Sequence, residues 1–198
     1  LVADGREASK ANPYFYSSAH RMVLPENVGA NGWYGHRVYA AMPLMVNADY
    51  ILFLDEDNWF EPNHISSMVE ALETNKWDWA YSLRKIVDKD GNFLFNDDCD
   101  SLGIYPNWRN VPFVDMNCYC FSTEFFAELA QWFYGELHTD KTIFQVAVAK
   151  VERHYQICST GLYTVNYRAR PDVINDWFTN GMEQIKKQYG DNKPWRSA

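Results

Sequence analysis

Five consecutive apolar residues, Tyr50-Ile51-Leu52-Phe53-Leu54, run without a break into three carboxylates, Asp55-Glu56-Asp57. An aromatic and branched run this short, cut off sharply by charge, predicts a strand buried on both faces with the acids at its carboxyl end. A strand of that kind belongs to an α/β sheet covered by helices, where ligands bind in the crevice beyond the strands' carboxyl ends. Asp55 and Asp57, two residues apart, can hold a hard divalent cation that keeps open positions for phosphate oxygens. The same acids would also suit a solvated turn where a strand surfaces.

With 198 residues the chain suits one compact domain with a well-buried core. Its apolar runs stay far short of the roughly 20 residues needed to cross a bilayer, and a soluble protein is expected. A formal net charge of -8 argues against a nucleic-acid binder, which usually carries a basic face, so an anionic ligand needs a local metal or a few placed arginines. Cys99, Cys118, Cys120 and Cys158 form no Cys-x-x-Cys pair and read as free, buried thiols. The opening Leu1-Val2-Ala3-Asp4-Gly5 has no basic leader, which points to a cytoplasmic setting. It also reads as the end of a strand whose beginning lies upstream.

Along the chain, Arg21–Leu24 predicts a short strand stopped by Pro25, and the apolar spacing from Trp33 to Val46 a helix kinked by Pro43. After the acids, Pro62 opens a second helix with Ile65, Met68, Val69 and Leu72 along one face. Trp79 to Val87 is a strand, Asp88-Lys89-Asp90-Gly91 a hairpin turn, and Asn92 to Phe95 the return strand. The turn lacks the remaining ligand positions of a calcium loop. Asp97 to Pro112 is irregular and long enough to serve as a substrate wall. Val114 to Phe121 predicts a strand, Ser122-Thr123-Glu124 a cap, and Phe125 to Tyr134 a helix. A further helix starts near Thr139-Asp140, Tyr155 to Tyr167 closes the sheet, and an amphipathic helix runs from Pro171 to about Tyr189 before a loosely held tail.

Taken in order, Asp4-Gly5 at a strand end, Glu26-Asn27-Val28-Gly29, a helix, the strand ending in Asp55-Glu56-Asp57, and Phe60-x-Pro62 before the next helix resemble the nucleotide-sugar half of GT-A fold glycosyltransferases, especially the inverting family 2 type. Val114 to Phe126 resembles that family's strand and helix beside the acceptor, and His138-Thr139-Asp140-Lys141 its acidic catalytic motif at a helix start. The resemblance implies a mixed, mainly parallel Rossmann-like sheet flanked by helices, in a single domain. Residues 1–60 would bind the nucleotide sugar, residues 61–170 would form the acceptor and catalytic part, and residues 171–198 would be a C-terminal helix and tail.

It further implies a metal-dependent, inverting transfer from a nucleotide sugar, UDP-sugar favoured, to a hydroxyl of a saccharide or glycan acceptor. Mn²⁺ or Mg²⁺ would sit on Asp57 directly and on Asp55 directly or through water, stabilising the departing diphosphate as a Lewis acid. Glu56 would reach the ribose, Asp4 would accept from the imide of a uracil-type ring, and Asn27 and Arg37 would line the donor, Arg37 equally suiting a snorkelling residue on the helix surface. Arg168 and Arg170 would approach the diphosphate or simply cover surface. Asp140 would be the general base, a role that positioned carboxylates fill at roughly 10²–10⁴-fold, and it also suits an N-cap of the helix it opens.

Two departures from the family pattern stand out. Nothing before Leu1 supplies the opening strand and its Pro-containing turn, so weaker nucleotide binding is expected. The last strand also lacks the histidine that often completes the metal site, and His154 precedes that strand as a structural residue. Two rivals share parts of the grammar. A haloacid dehalogenase-like phosphatase would use Asp55 as nucleophile, although Asn58-Trp59-Phe60 does not suit it. A non-catalytic sugar-binding module would use Trp59, Trp108 and the tyrosines as stacking platforms.

Overall fold

The computed structural model describes residues 2–11, 20–30, 35–134, 139–151 and 157–196. The elements are β1 (Val2–Ala3), α1 (Arg6–Ala11), β2 (Met22–Val23), α2 (His36–Ala41), β3 (Tyr50–Leu52), β4 (Trp59–Phe60), α3 (His64–Asn75), β5 (Trp79–Val87) and β6 (Phe93–Asn96). They continue with β7 (Tyr119–Ser122), α4 (Thr123–Tyr134), α5 (Thr139–Val151), β8 (Ile157–Arg168) and α6 (Thr179–Tyr189). The main sheet runs β3-β7-β5-β8-β4, with β6 beside β5, while β1 and β2 pair separately. It is a mixed sheet flanked by helices, as expected, but its parallel share is smaller than the sequence suggested. Among the described residues the main sheet has one parallel pairing, β5/β8, against four antiparallel ones, and the separate β1/β2 pair is parallel.

Several local expectations are corrected. The apolar run before the acids is not buried on both faces: Ile51 and Phe53 are buried, Tyr50 and Leu52 are half-buried, and Leu54 is exposed. The cause is its place at the end of the strand order, where among the described residues it is hydrogen-bonded to β7 alone, so that one face keeps solvent contact. In α3 the inward row is His64, Met68 and Leu72, at spacing four, and Ile65 points out. The helix after Gly35 gives way at Pro43 to a 3₁₀ turn, Met42–Met45, because proline has no N–H to continue the α ladder. The expected strand from Val114 begins instead with a 3₁₀ turn, Met116–Cys118, capped by Asp115, whose carboxylate accepts from the Asn117 N–H at 3.0 Å. Ser122 caps α4 as foreseen, accepting from the Phe125 N–H at 3.2 Å.

The tail is anchored rather than loose. Trp195 is 1% exposed and donates its indole N–H to Asp98 at 2.8 Å, and Lys193 and Arg196 pair with the same carboxylate. All four cysteines are buried and unpaired. The centre is aromatic: Trp79 lies against Phe121, Phe125 and Phe144 with ring centroids 5.9–6.1 Å apart. Each such fully buried side chain contributes about 1.5–3 kcal/mol through removal of apolar surface from water. This core fixes β7 and β5 side by side and so holds the end of β3 in place. Among the described residues, no helix is long and apolar enough to cross a membrane.

Candidate functional site

Beyond Leu52 the chain leaves the sheet ladder and is held by side chains instead. The Asp55 N–H donates to Asn117 Oδ1 at 2.7 Å, and Asn117 Nδ2 donates back to Asp55 Oδ2 at 2.9 Å. Tyr39, from α2, donates its hydroxyl to Asp55 Oδ1. The Asn58 N–H then reaches the Asp55 carbonyl at 3.2 Å, closing a tight turn that leaves Glu56 and Asp57 exposed at its tip. One acid is thus fastened and two are presented to solvent.

The electrostatics follow from this arrangement. Burial pushes the Asp55 carboxyl up, hydrogen bonds from Tyr39 and Asn117 pull it down, and the charges of Asp115 and Asp57 push it up again; the net direction is upward. The Tyr39 phenol is pushed far above its ordinary value, first by burial and then by Asp55. It therefore stays a donor. Both Asp55 oxygens accept a hydrogen bond in this arrangement, and each keeps a second lone pair.

Asp4 is also engaged. Its two oxygens accept from the backbone N–H groups of Val28 and Gly29, each at 2.7 Å, which folds residues 27–30 over the end of β1. A Cβ on Gly29 would lie 2.6 Å from Asp4 Oδ2 and 2.9 Å from the Gly35 nitrogen, so only glycine fits there. Gly35 is the N-cap of α2, and Tyr39, one turn on, touches Asp55. A single short helix therefore connects the Asp4 loop to the acids at the end of β3. Arg37 lies half-buried on the same helix, and Asn27 is exposed on the Asp4 loop. Asp140 falls in the first turn of α5, as expected. Its side chain, residues 135–138 and His154 lie outside the described part.

Behind Asp55 is a closed ionic cluster that the sequence did not announce. Arg84, 3% exposed, donates from Nε to Asp97 at 2.8 Å, from Nη1 to Asp115 at 2.6 Å and from Nη2 to Asp100 at 2.8 Å. Burial works against its charge, but Asp115, Asp97 and Asp100 together hold it protonated. The other oxygen of Asp115 accepts from Asn117, so the cluster braces the residue that positions Asp55. The phenol of Tyr167, at the end of β8, is pushed up to about 12 by burial and, beyond the opposing pull of Arg84, by Asp115, Asp55 and Asp57. The end of β8 thus lies within the field of the acids.

The irregular segment predicted as a substrate wall does line a cleft. The cleft holds about 240 Å³ between Asp100, Asn107, Arg109, Val111, Phe113 and Trp177. Asn107 Oδ1 fixes the loop by accepting from the N–H groups of Arg109 and Val111, and Gly103 turns it with φ +70°, where a Cβ would strike the Tyr81 ring at 2.0 Å. The exposed Arg109 guanidinium lies 3.9 Å from the centre of the Trp177 ring.

Sequence reasoning missed Tyr39, Asn117, Arg84 and Trp177. A usable signal existed for one of them: Asp115-x-Asn117 interrupts the apolar stretch from Val114 to Phe121 with polar residues that a buried strand would not carry. The partners of Arg84 are 13 to 31 residues away, and no local pattern marks them.

The donor set can be tested against a divalent cation. Among the described residues no three His, Cys, Asp or Glu side chains cluster as a metal cage. An exposed Asp57 beside a fixed Asp55 does fit a hard cation that takes one or two carboxylate oxygens and fills its other positions with phosphate and water.

The sequence model of Glycosyl transferase family 2 matches residues 30–133, just over half of the chain. Among solved structures the chain is similar to residues 1–349 of S. aureus TarS in complex with UDP, with a TM-score of 0.50 and 12% identity over 85% of this chain and 48% of that one. It is similar as well to TarS 1–349 in complex with UDP-GlcNAc, with a TM-score of 0.53 and 12% identity over 86% and 50% of the two chains. At such identity the likeness concerns the fold, and the chain spans about half the length of these structures. No curated protein sequence matches it.

Proposed function

Given that the chain belongs to glycosyl transferase family 2, we propose that it transfers a sugar from a nucleotide-sugar donor, a UDP-sugar being favoured, to a hydroxyl of a saccharide or glycan acceptor, with inversion. The observation that carries this reading is the turn at the end of β3, with Asp55 held by Tyr39 and Asn117 and Asp57 presented to solvent. Asp57, with Asp55 behind it, would hold Mn²⁺ or Mg²⁺. The cation supplies Lewis-acid stabilisation of the negative charge that accumulates on the diphosphate as it leaves.

The chain's own residues fill the remaining roles. Asp4 shapes the Val28-Gly29 loop on which the base would rest, and a carboxylate oxygen accepting one N–H retains a lone pair for an imide proton. Glu56, exposed next to Asp57, would accept from a ribose hydroxyl, and Arg37 and Asn27 would flank the nucleotide. Asp140, at the start of α5, would take the proton of the attacking acceptor hydroxyl. A general base with no covalent role gives direct displacement and hence inversion. The acceptor would lie along the cleft of Arg109 and Trp177. That cleft joins the donor side through Asp100, Arg84, Asp115 and Asn117.

Thermal unfolding with a panel of nucleotide sugars, with and without Mn²⁺, tests the reading. A donor at about 100 times its Kd should stabilise the fold by about 2.7 kcal/mol, only with metal and not in Asp57→Ala. No shift with any donor, or a shift indifferent to both metal and Asp57, contradicts it. Asp140→Asn should bind donor normally and lose transfer.

A further inference from the structure

The irregular wall from Asp97 to Pro112 and the segment after β8 meet at the cleft, and each leaves regular geometry where it supplies a cleft residue. Buried Asn107 braces its own loop: its carbonyl accepts from the Asn110 N–H at 2.7 Å, and its Oδ1 accepts from Arg109 and Val111. The turn holds Asn110 at φ +61°, a left-handed conformation rare outside glycine and recurrent at ligand clamps. Trp177 belongs to a π-helical turn, Val173–Phe178, whose C-cap Thr179 donates both its N–H and its hydroxyl to the Ile174 carbonyl. Single π turns of this kind recur at functional sites. Arg109 stands between the two irregularities, exposed at the rim. Its guanidinium lies 3.9 Å from the centre of the Trp177 ring and 5.0 Å from that of Trp108, and it forms no ion pair with a described carboxylate. Asp100, the acid that lines the cleft, is 9% exposed and already engaged, one oxygen by Arg84 and the other by Asn107 Nδ2 at 3.3 Å.

Resting on the reading that the acceptor occupies this cleft, we propose that the acceptor is an acidic saccharide, whose carboxylate or phosphate group is bound by Arg109 at the rim. Three features carry this. An indole face orients a guanidinium without neutralising it, which leaves the planar N–H fork for the paired oxygens of an anion. The backbone under Arg109 is fixed by Asn107, so the side chain starts from a determined position. In a chain of formal net charge -8, a positioned and unpaired cation at a cleft rim is a local exception, and a neutral acceptor would leave that charge unanswered. The rest of the cleft suits a sugar ring. Val111, Phe113 and Trp177 offer apolar surface, and the remaining lone pairs of Asp100 can accept from a hydroxyl. A volume of about 240 Å³ lies just under the roughly 300–1,000 Å³ of ligand sites, room for one ring and not for a chain of them.

Titration of the full chain with methyl β-D-glucuronide, glucose 6-phosphate and the neutral methyl β-D-glucoside, followed by NMR at the Trp177 indole N–H, decides the matter. At least one of the two acids should bind about tenfold or more tighter than the glucoside, the size of one charge-assisted contact. A preference confined to the glucuronide marks a uronic-acid acceptor, and one confined to the phosphate marks a phosphorylated one. Arg109→Ala should abolish the preference and Arg109→Lys should keep part of it. Arg170→Ala, which removes the same charge from a surface pair with Asp172, should keep it whole. Equal binding of acids and glucoside, no shift at Trp177 with either acid, a preference that survives Arg109→Ala, or one lost equally in Arg170→Ala overturns the proposal. Thermal unfolding of the same samples with nucleotide sugars and Mn²⁺ separates the two readings. Stabilisation by a donor without acid selectivity overturns this proposal alone, whereas acid selectivity without stabilisation by any donor overturns the transferase reading and leaves an acidic-sugar site.

Discussion

Two sets of aspartates share one hydrogen-bonded network in this molecule and are treated in opposite ways. Asp97, Asp100 and Asp115 each occupy a different nitrogen of buried Arg84, so their charge is spent inside the fold. Asp55 is held by neutral donors only, and Asp57 beside it is exposed. Asp115 links the two sets, bonding Arg84 through one oxygen and, through the other, the Asn117 that holds Asp55. A carboxylate saturated by a buried guanidinium is structural, whereas one positioned by a phenol and an amide has neutral partners only, as the proposed ligand role of Asp55 requires. Residue type and net charge would have ranked the two sets alike; their partners separate them.

The contrast breaks most visibly at Arg84. Arg84→Met strands three carboxylates in the interior and should cost about 3–5 kcal/mol in urea unfolding. A cost under about 1 kcal/mol would mean that the cluster does not hold the fold. Next in size is a pH effect at His64, which packs α3 against β8 with Nδ1 2.7 Å from Thr164 Oγ1. Burial pulls its pKa down to about 4, below the unfolded value near 6.5. Above 6.5 the ring is neutral in both states and the stability it contributes is complete. Between about 6.5 and 4 only the unfolded state takes up the proton, so stability should fall by up to about 3 kcal/mol, and His64→Gln should flatten that slope.

Smaller effects lie on the open side. Tyr39→Phe removes a donor from Asp55 and should cost roughly 1.5–3 kcal/mol, with the Asp55 carboxyl driven further upward when followed by carbon NMR. Unaltered stability together with an unmoved Asp55 would show that the phenol does not position it. Gly29→Ala crowds both Asp4 and Gly35 and should lose about 1–3 kcal/mol, weakening UDP binding at the same time. Intact binding in that variant would separate the Asp4 loop from the nucleotide.

Much of this was legible in the chain itself, and unevenly so. The α3 and β5 segments, the hairpin through Asp88–Gly91 and the Ser122 cap follow from local periodicity and turn chemistry, which act over a few residues. The acids after Leu54 were visible because charge broke an apolar run. The reason Asp55 is fixed was not visible, since Tyr39 and Asn117 reach it from 16 and 62 residues away. Antiparallel pairing was underestimated for the same reason: strand direction is decided between distant segments, and β7 and β8 meet β5 from opposite sides of the sheet. The anchored Trp195 likewise depends on Asp98, 97 residues earlier.

The central claim is that Asp57 serves a ligand and not the fold. Calorimetry of UDP with Mn²⁺ on the parent chain and on Asp57→Asn, paired with urea unfolding of both, tests it most directly. Unfolding free energies within about 0.5 kcal/mol of each other are expected, as for an exposed surface substitution, with metal-dependent UDP binding in the parent alone. Equal, metal-indifferent UDP binding by both proteins, or a variant that loses stability along with binding, would contradict it.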